Sequence, residues 1–427
     1  MISNFIPLLG MAVLLALAWA MSSHRRLFPR RTVLWGLGLQ LTFAVLLLRT
    51  DWGQAVFGWL RGAVVQLLAF TDPGAEFVFG PLFRTAPQYV ENLAPGASWW
   101  QAVDPAGGQP LTLGIVFAIH VLPIIIFFCS LTAILYHLGV MQRLVQGIAW
   151  VMQKTMKTSG AETLSVTANI FVGQTEAPVV IRPYLSGLTM SELMAVMVGG
   201  FATVAGSVMA AYVRFGVDAG HLLTASVLSA PAALVMAKIM LPETEKSETA
   251  DSVVMSSERE YTNVLEAAAA GATDGVKLAL NVGGMLIAFI ALVAMVNFGL
   301  AFVGTSLQEI FGFVFSPLAW TMGVPWDEAR TFGNLLGTKI AINEFVGYIE
   351  LVRAADAGAL SPRSVVIGTY ALCGFANFSS LAIQIGGIGA MAPERRGDLA
   401  RLGLRAMLAG AFASWLTACV AGLLTPV

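Results

Sequence analysis

Apolar residues in this chain come in long runs rather than in alternation. Residues 5–21, 32–48, 111–136, 191–213, 222–241, 276–303, 365–392 and 406–424 are runs of this kind. A continuous apolar stretch of about 18 residues or more can cross a bilayer as a helix. A membrane β-barrel would instead alternate apolar and polar positions. The pattern predicts an all-α polytopic membrane protein with eight transmembrane helices. Residues 52–70, with Arg61, and 141–157, with Arg143, Lys154 and Lys157, are apolar stretches interrupted by charge, as expected of helices lying at the interface. Residues 259–274 predict an alanine-rich amphipathic helix, and 306–322 an external one. Pro73, Pro81, Pro87, Pro95 and Pro105, with Trp99 and Trp100, predict an external loop up to Gln109 with aromatic anchors at headgroup level.

Two further stretches are interrupted by polar clusters, and the first of them is apolar at both ends. Residues 162–188 are broken by Gly173-Gln174-Thr175-Glu176-Ala177-Pro178, and 327–351 by Gly337-Thr338-Lys339, with Asn343 and Glu344 just beyond. Their arms are too short to cross alone. Irregular backbone at membrane depth is tolerated only against protein or a water-filled cavity, so both predict re-entrant hairpins.

The chain also repeats itself. Asn169-Ile170-Phe171-Val172-Gly173 returns as Asn343-Glu344-Phe345-Val346-Gly347. Gly200-Phe201-Ala202-Thr203 returns as Gly374-Phe375-Ala376-Asn377, with Ser207 and Ser380 a few residues on. The spacing is the same in both halves, 200 − 169 = 31 and 374 − 343 = 31. Two blocks at one spacing indicate a repeated structural unit, which in a membrane protein suggests a transporter with its site where the repeats meet. Three spans separate the hairpins, so they enter from opposite faces and the repeat is inverted. The expected division is 1–160, N-terminal scaffold helices; 161–241, first repeat; 242–326, linker, interfacial helix, sixth span and external helix; and 327–427, second repeat. Arg25, Arg26, Arg30 and Arg31, and later Arg395, Arg396, Arg401 and Arg405, mark cytoplasmic loops, which puts both termini outside.

Composition adds exclusions. The chain has 427 residues, 57% hydrophobic and 11% charged, against about a quarter charged in soluble domains. The formal net charge is −1 and no basic block suggests nucleic acid. Cys129, Cys373 and Cys419, and the four histidines, are too scattered for a disulfide framework or a metal-ligand set.

The candidate chemistry lies in the breaks. An ionisable group within the membrane costs about 3 kcal/mol on insertion scales, and Glu176 and Glu344 are both placed there. A structural carboxylate, paired with Lys339 or with backbone N–H groups, is the competing reading. Gln174 and Thr175 flank Glu176, and Asn377 and Ser380 add polar groups from the seventh span. With no arginine in either break, such groups suit a neutral polyol or a nucleobase edge better than an anion. Phe375 and Phe378 offer faces for stacking, or merely for packing. Freed carbonyls at Asn169, Val172 and Val204, with the Asn169 amide and the Thr203 hydroxyl, are oxygens that a hard cation could use.

Gly173-Gln174-Thr175-Glu176-Ala177-Pro178, Asn343-Glu344-Phe345-Val346 and the block from Cys373 to Ser380 resemble the concentrative nucleoside transporter family, in its short bacterial form, over nearly the whole chain. The resemblance implies a homotrimer in the bacterial inner membrane. It also implies a Na+-coupled nucleoside symporter working by an elevator motion, with H+ as the alternative coupling ion. It assigns Gln174, Thr175 and Glu176 to the base, Glu344, Asn377 and Ser380 to the ribose, and Phe375 and Val208 to packing on the nucleoside. Asn169, Val172, Thr203 and Val204 would be the sodium ligands. The family can carry Ser where this chain has Thr203, and the hydroxyl is kept. A nucleobase or another small polar solute is the alternative cargo. A hydrolase using Glu176 and Glu344 as acid and base would leave the repeat without a purpose, so no enzyme is expected.

Overall fold

The computed structural model describes residues 5–80, 83, 116–250 and 261–426. Most of the predicted proline-rich external loop and the start of the third span lie outside them, as does the beginning of the amphipathic helix expected from residue 259; the loop's first residues, with Pro73, are described and form a short helix. Among the described residues all regular structure is helical.

The N-terminal part runs α1 (Ile6–Ala20), α2 (Arg30–Arg49), α3 (Asp51–Ala69), α4 (Asp72–Phe79), the single turn α5 (Phe117–His120), α6 (Leu122–His137) and α7 (Val140–Met156). Helix α8 (Gly160–Ala168) starts at Ser159, whose orphan N–H donates to Glu162 Oε1 at 2.8 Å, the glutamate's half of a capping box. It is followed by an irregular segment and a 3₁₀ arm, Ala177–Gly187, that packs back on α8. A second capping box, Thr189 with Glu192, starts α9 (Met190–Ala202). Thr203, Val204 and Ala205 leave the helix, and α10 (Gly206–Arg214) resumes it. Helix α11 (Ala219–Met240) follows.

After α12 (Val264–Ala301) and α13 (Leu307–Thr321), the same succession returns. It comprises paired α14 (Ala329–Ala341) and α15 (Glu344–Asp356), then α16 (Pro362–Leu372), a break, and α17 (Phe378–Met391). The turn Pro393–Arg395 leads into the long α18 (Arg396–Leu424). Asn343 and Asn377, placed by the two sequence repeats, cap α15 and α17 by accepting from Val346 N and Ser380 N. Capping asparagines at the irregular positions explain why the chain can leave and re-enter helix there without orphaned N–H groups.

Helices α9, α11 and α18 form the centre, packed on one another and flanked by α1, α2 and α16. Six stretches among the described residues are long and apolar enough to cross a membrane, while α1 and α17 are apolar but shorter. Burial does not follow hydropathy. The apolar window of α12 is 11% buried and that of α11 is 89% buried. The more apolar helix is the more exposed one, the arrangement expected when the surrounding solvent is lipid.

Three expectations need correction. The amphipathic helix and the sixth span are one helix of 38 residues. Gly271 and Gly275 lie within it and are packing positions: a Cβ there would fall 2.7 Å from Cys129 O and 2.6 Å from Ile126 Cα of α6. The second interruption is not at Gly337-Thr338-Lys339. Helix α14 continues through them and ends at Ala341, since Gly337 serves close contact with Phe311, and the chain leaves helix at Ile342–Asn343. Finally, Arg396, Arg401 and Arg405 belong to α18 itself rather than to a loop before it.

Candidate functional site

The first half brings its irregular segment between α9 and α17. Gln174 is buried, Thr175 half-buried and Glu176 exposed. Glu176 turns back over Gly173, where a Cβ would fall 2.1 Å from its Oε2. Thr175 packs on Gly387 of α17, whose missing Cβ would lie 2.5 Å from Thr175 Cγ2. The main chains of the two breaks in this half are tied together, with Gly206 N donating to Phe171 O at 3.0 Å.

The second half supplies a denser network. Glu344 is 3% exposed. Its Oε1 accepts from the Tyr212 hydroxyl of α10 at 2.9 Å and its Oε2 from Asn377 Nδ2 at 2.8 Å. Asn377 Oδ1 in turn accepts from Ser379 Oγ and Ser380 N at the start of α17. Both donors orient the carboxylate and leave lone pairs for further donors, such as the hydroxyls of a sugar. Gly374, with φ +111°, takes a conformation that L side chains rarely adopt, and a Cβ there would fall 2.6 Å from Phe201 O. Its absence lets the break after α16 meet the end of α9.

Lys339 is fully buried, and its Nζ donates to Ala371 O at 2.9 Å and Cys373 O at 3.1 Å, the last carbonyls of α16 and its cap. Its hydrogen bonds therefore go to main-chain oxygens and not to either glutamate, which corrects the pairing considered from sequence.

Residues that could hold a cation lie in the first half. Asn169 is 1% exposed, its Nδ2 donates to Ser165 O at 3.1 Å, and its Oδ1 is buried with no partner among the described residues. Ser165 Oγ is in the same condition. Thr203 Oγ1 donates to Gly199 O at 2.9 Å, which leaves its lone pairs free. Val172 and Val204 are outside regular helix, where carbonyls are not committed to a helical ladder. Among the described residues no cluster of three or more His, Cys, Asp or Glu could hold a metal ion. Neutral oxygens with an orphaned buried acceptor fit a hard monovalent cation, since an unpartnered buried oxygen costs about 1–3 kcal/mol unless something satisfies it.

Of the sequence-predicted residues, Glu344, Asn377 and Ser380 are brought together directly. Val208, 2% exposed, sits on α10 one turn before Tyr212, and Phe375 is buried in the break beside Asn377. Glu176 stands apart from the Glu344 network, exposed on its own turn. Phe378, by contrast with Phe375, is 49% exposed. Tyr212 and Gln384 were missed. Gln384 of α17 donates from Nε2 to Gln174 Oε1 and to Met197 O. A lone glutamine in an otherwise apolar run was the available signal.

Comparison with known proteins agrees with this architecture. Residues 9–82 match the family model described as Na+ dependent nucleoside transporter N-terminus, 118–219 the Gate model, described as nucleoside recognition, and 221–422 the Na+ dependent nucleoside transporter C-terminus. Over 97% of its length the chain is 45% identical to an uncharacterized transporter of Haemophilus influenzae, covering 96% of it. The chain belongs to the Na+ dependent nucleoside transporter family. Within that family, sodium/nucleoside cotransporter 1 of Rattus norvegicus is 43% identical over 97% of this chain, which spans 63% of the rat protein. CNTnw in an inward-facing substrate-bound state matches with a TM-score of 0.88 and 42% identity, over 99% of this chain and 98% of that one. A doubly substituted CNTnw in an outward-facing state matches with the same score. The family is one of transporters and not of enzymes.

Proposed function

We propose that the chain is a symporter that takes nucleosides into the cytoplasm with Na+, in the bacterial inner membrane. The observation that carries the reading is Glu344, a buried carboxylate held by one donor from each half, Tyr212 and Asn377. Charge of this kind within an apolar protein is costly and marks a substrate pathway. Glu344, Asn377 and Ser380 receive the ribose hydroxyls. Gln174, Thr175 and Glu176 receive the base, and Phe375 and Val208 cover its apolar faces. The orphaned Asn169 oxygen supports a sodium site with Thr203 and the carbonyls of Val172 and Val204.

In this reading, α8 with the 3₁₀ arm and α14 with α15 are re-entrant hairpins, and the units 161–241 and 327–427 form an inverted repeat. Eight spans cross the membrane with both termini outside, and three copies assemble. The two hairpins and the broken spans, α9 with α10 and α16 with α17, slide as one body against a scaffold of α6, α12 and the interfacial helices. The different states of CNTnw support such an elevator. Coupling requires that the cation bind the nucleoside-ready arrangement better than the other, since a ligand shifts an equilibrium only by its differential affinity. Sodium at Asn169, on the turn leading to Gln174, joins cation and base contacts within six consecutive residues, 169–174. Uptake of labelled uridine into proteoliposomes under an inward sodium gradient tests the reading. Accumulation that collapses with the gradient is expected; an equal rate without any cation gradient would overturn it.

A further inference from the structure

Gln384 is fully buried on α17, and its Nε2 has two acceptors: Met197 O in α9 at 3.1 Å and Gln174 Oε1 at 3.1 Å. A side-chain amide presents a donor end and an acceptor end of nearly equal size, so either end could face a neighbour. Met197 removes that freedom. Its main-chain carbonyl can only accept, so Gln384 must turn its nitrogen toward it. The second hydrogen on the same nitrogen points to Gln174, which must answer with its carbonyl oxygen. The NH2 of Gln174 is then the end left over. The arrangement leaves Gln384 Oε1 without a partner among the described residues, but reversing either amide would also set oxygen against oxygen or N–H against N–H and lose the bonds that the nitrogen makes. Gly200 makes the room: a Cβ there would fall 2.7 Å from Gln384 Nε2 and 2.9 Å from Gln174 Cβ. One main-chain carbonyl thus sets the polarity of a residue in the first half through a side chain of the second.

We propose that Gln384 is a positioning residue that sets base selectivity. By holding the Gln174 NH2 as the free end, it favours nucleosides whose base offers an exocyclic carbonyl oxygen over those with an amino group in that place. Uridine is favoured over cytidine, and inosine over adenosine. An amino group there meets another donor, and both are left without an acceptor. The inference rests on Gln174 being a base contact, as in the proposed function.

The test is competition against labelled uridine in proteoliposomes, using the two nucleoside pairs. In the unmodified protein each carbonyl nucleoside competes about three- to tenfold better than its amino partner, the size of one hydrogen bond. Gln384→Leu frees Gln174 to turn, and both ratios fall to about one. Gln174→Glu keeps the acceptor facing Gln384 and replaces the free NH2 by an oxygen, and both ratios reverse. A merely structural Gln384 would lower uptake of all four nucleosides together and leave the ratios unchanged; that result overturns the proposal. Equal competition within each pair in the unmodified protein does so as well, and needs no variant to fold. If uridine itself fails to enter, the proposed function falls and takes this inference with it; entry with the wrong ratios defeats the inference alone.

Discussion

Ser165 and Lys339 stand at the same place in the two halves, each four residues before the asparagine that opens the repeated Asn-X-Phe-Val-Gly motif. Around Ser165, oxygens are left without partners among the described residues: its own Oγ and Asn169 Oδ1, both buried. Around Lys339 the carbonyls of Ala371 and Cys373 are taken up by an ammonium that the chain carries itself. The two units thus meet the same problem, main-chain and side-chain oxygens exposed by a break, in different ways. The second satisfies them with a tethered positive charge. The first leaves acceptors that a diffusible cation can fill. A repeat with a shared motif therefore need not present the same chemistry: a lysine in one unit fills the acceptors at its break, and the serine at the same place in the other does not.

The largest effect is expected where the tethered charge is removed. Lys339→Met leaves two buried carbonyls without donors, at about 1–3 kcal/mol each. It also deprives Glu344 of a nearby positive charge. Thermal unfolding in detergent should come at a clearly lower temperature, with uptake abolished. Glu344→Gln ranks next. The new amide must turn its NH2 toward either Tyr212 or Asn377, and Asn377 cannot reverse because its Oδ1 caps α17. Loss of one charge-assisted hydrogen bond to substrate is worth about 1.5–3 kcal/mol, so uridine uptake should fall about ten- to a hundredfold. Assembly measured by size-exclusion chromatography should be unchanged. On the other side of the comparison, Asn169→Ala should raise the sodium concentration for half-maximal uptake about tenfold while saturating sodium restores much of the rate. Ser165→Ala removes a single neutral oxygen and should shift the same sodium titration only about threefold. A larger shift from Ser165 than from Asn169 would invert the ranking of the two oxygens.

Much of the site was legible because its signals are local. The repeats at Asn169 and Asn343, and at Thr203 and Asn377, coincide with the positions where helices end and restart, and a capping asparagine or an extended threonine needs only its own neighbours to do this. Glu344 could be singled out as a charge in an apolar stretch. Its partner Tyr212 could not, because 132 residues separate them. The pairing of Gln384 with Gln174 spans 210 residues. Glycine misled for the same reason. At Gly337 it reads as part of a break, yet Gly337 sits within a continuous helix and admits a close neighbour, Phe311.

The amino-acid sequence alone determined the helical class, the succession of long and broken helices, the doubled unit and the polar residues at its breaks. Each follows from hydrophobic runs, capping chemistry and residues adjacent in the chain. Tertiary structure alone decided that α11 is buried while the more apolar α12 is exposed. It also decided that Lys339 closes one break while Asn169 keeps a bare oxygen at the other, and that Gln384 orients Gln174. Those outcomes depend on which helices lie side by side, and hydropathy reports how readily a segment leaves water but not which neighbour, protein or lipid, receives it.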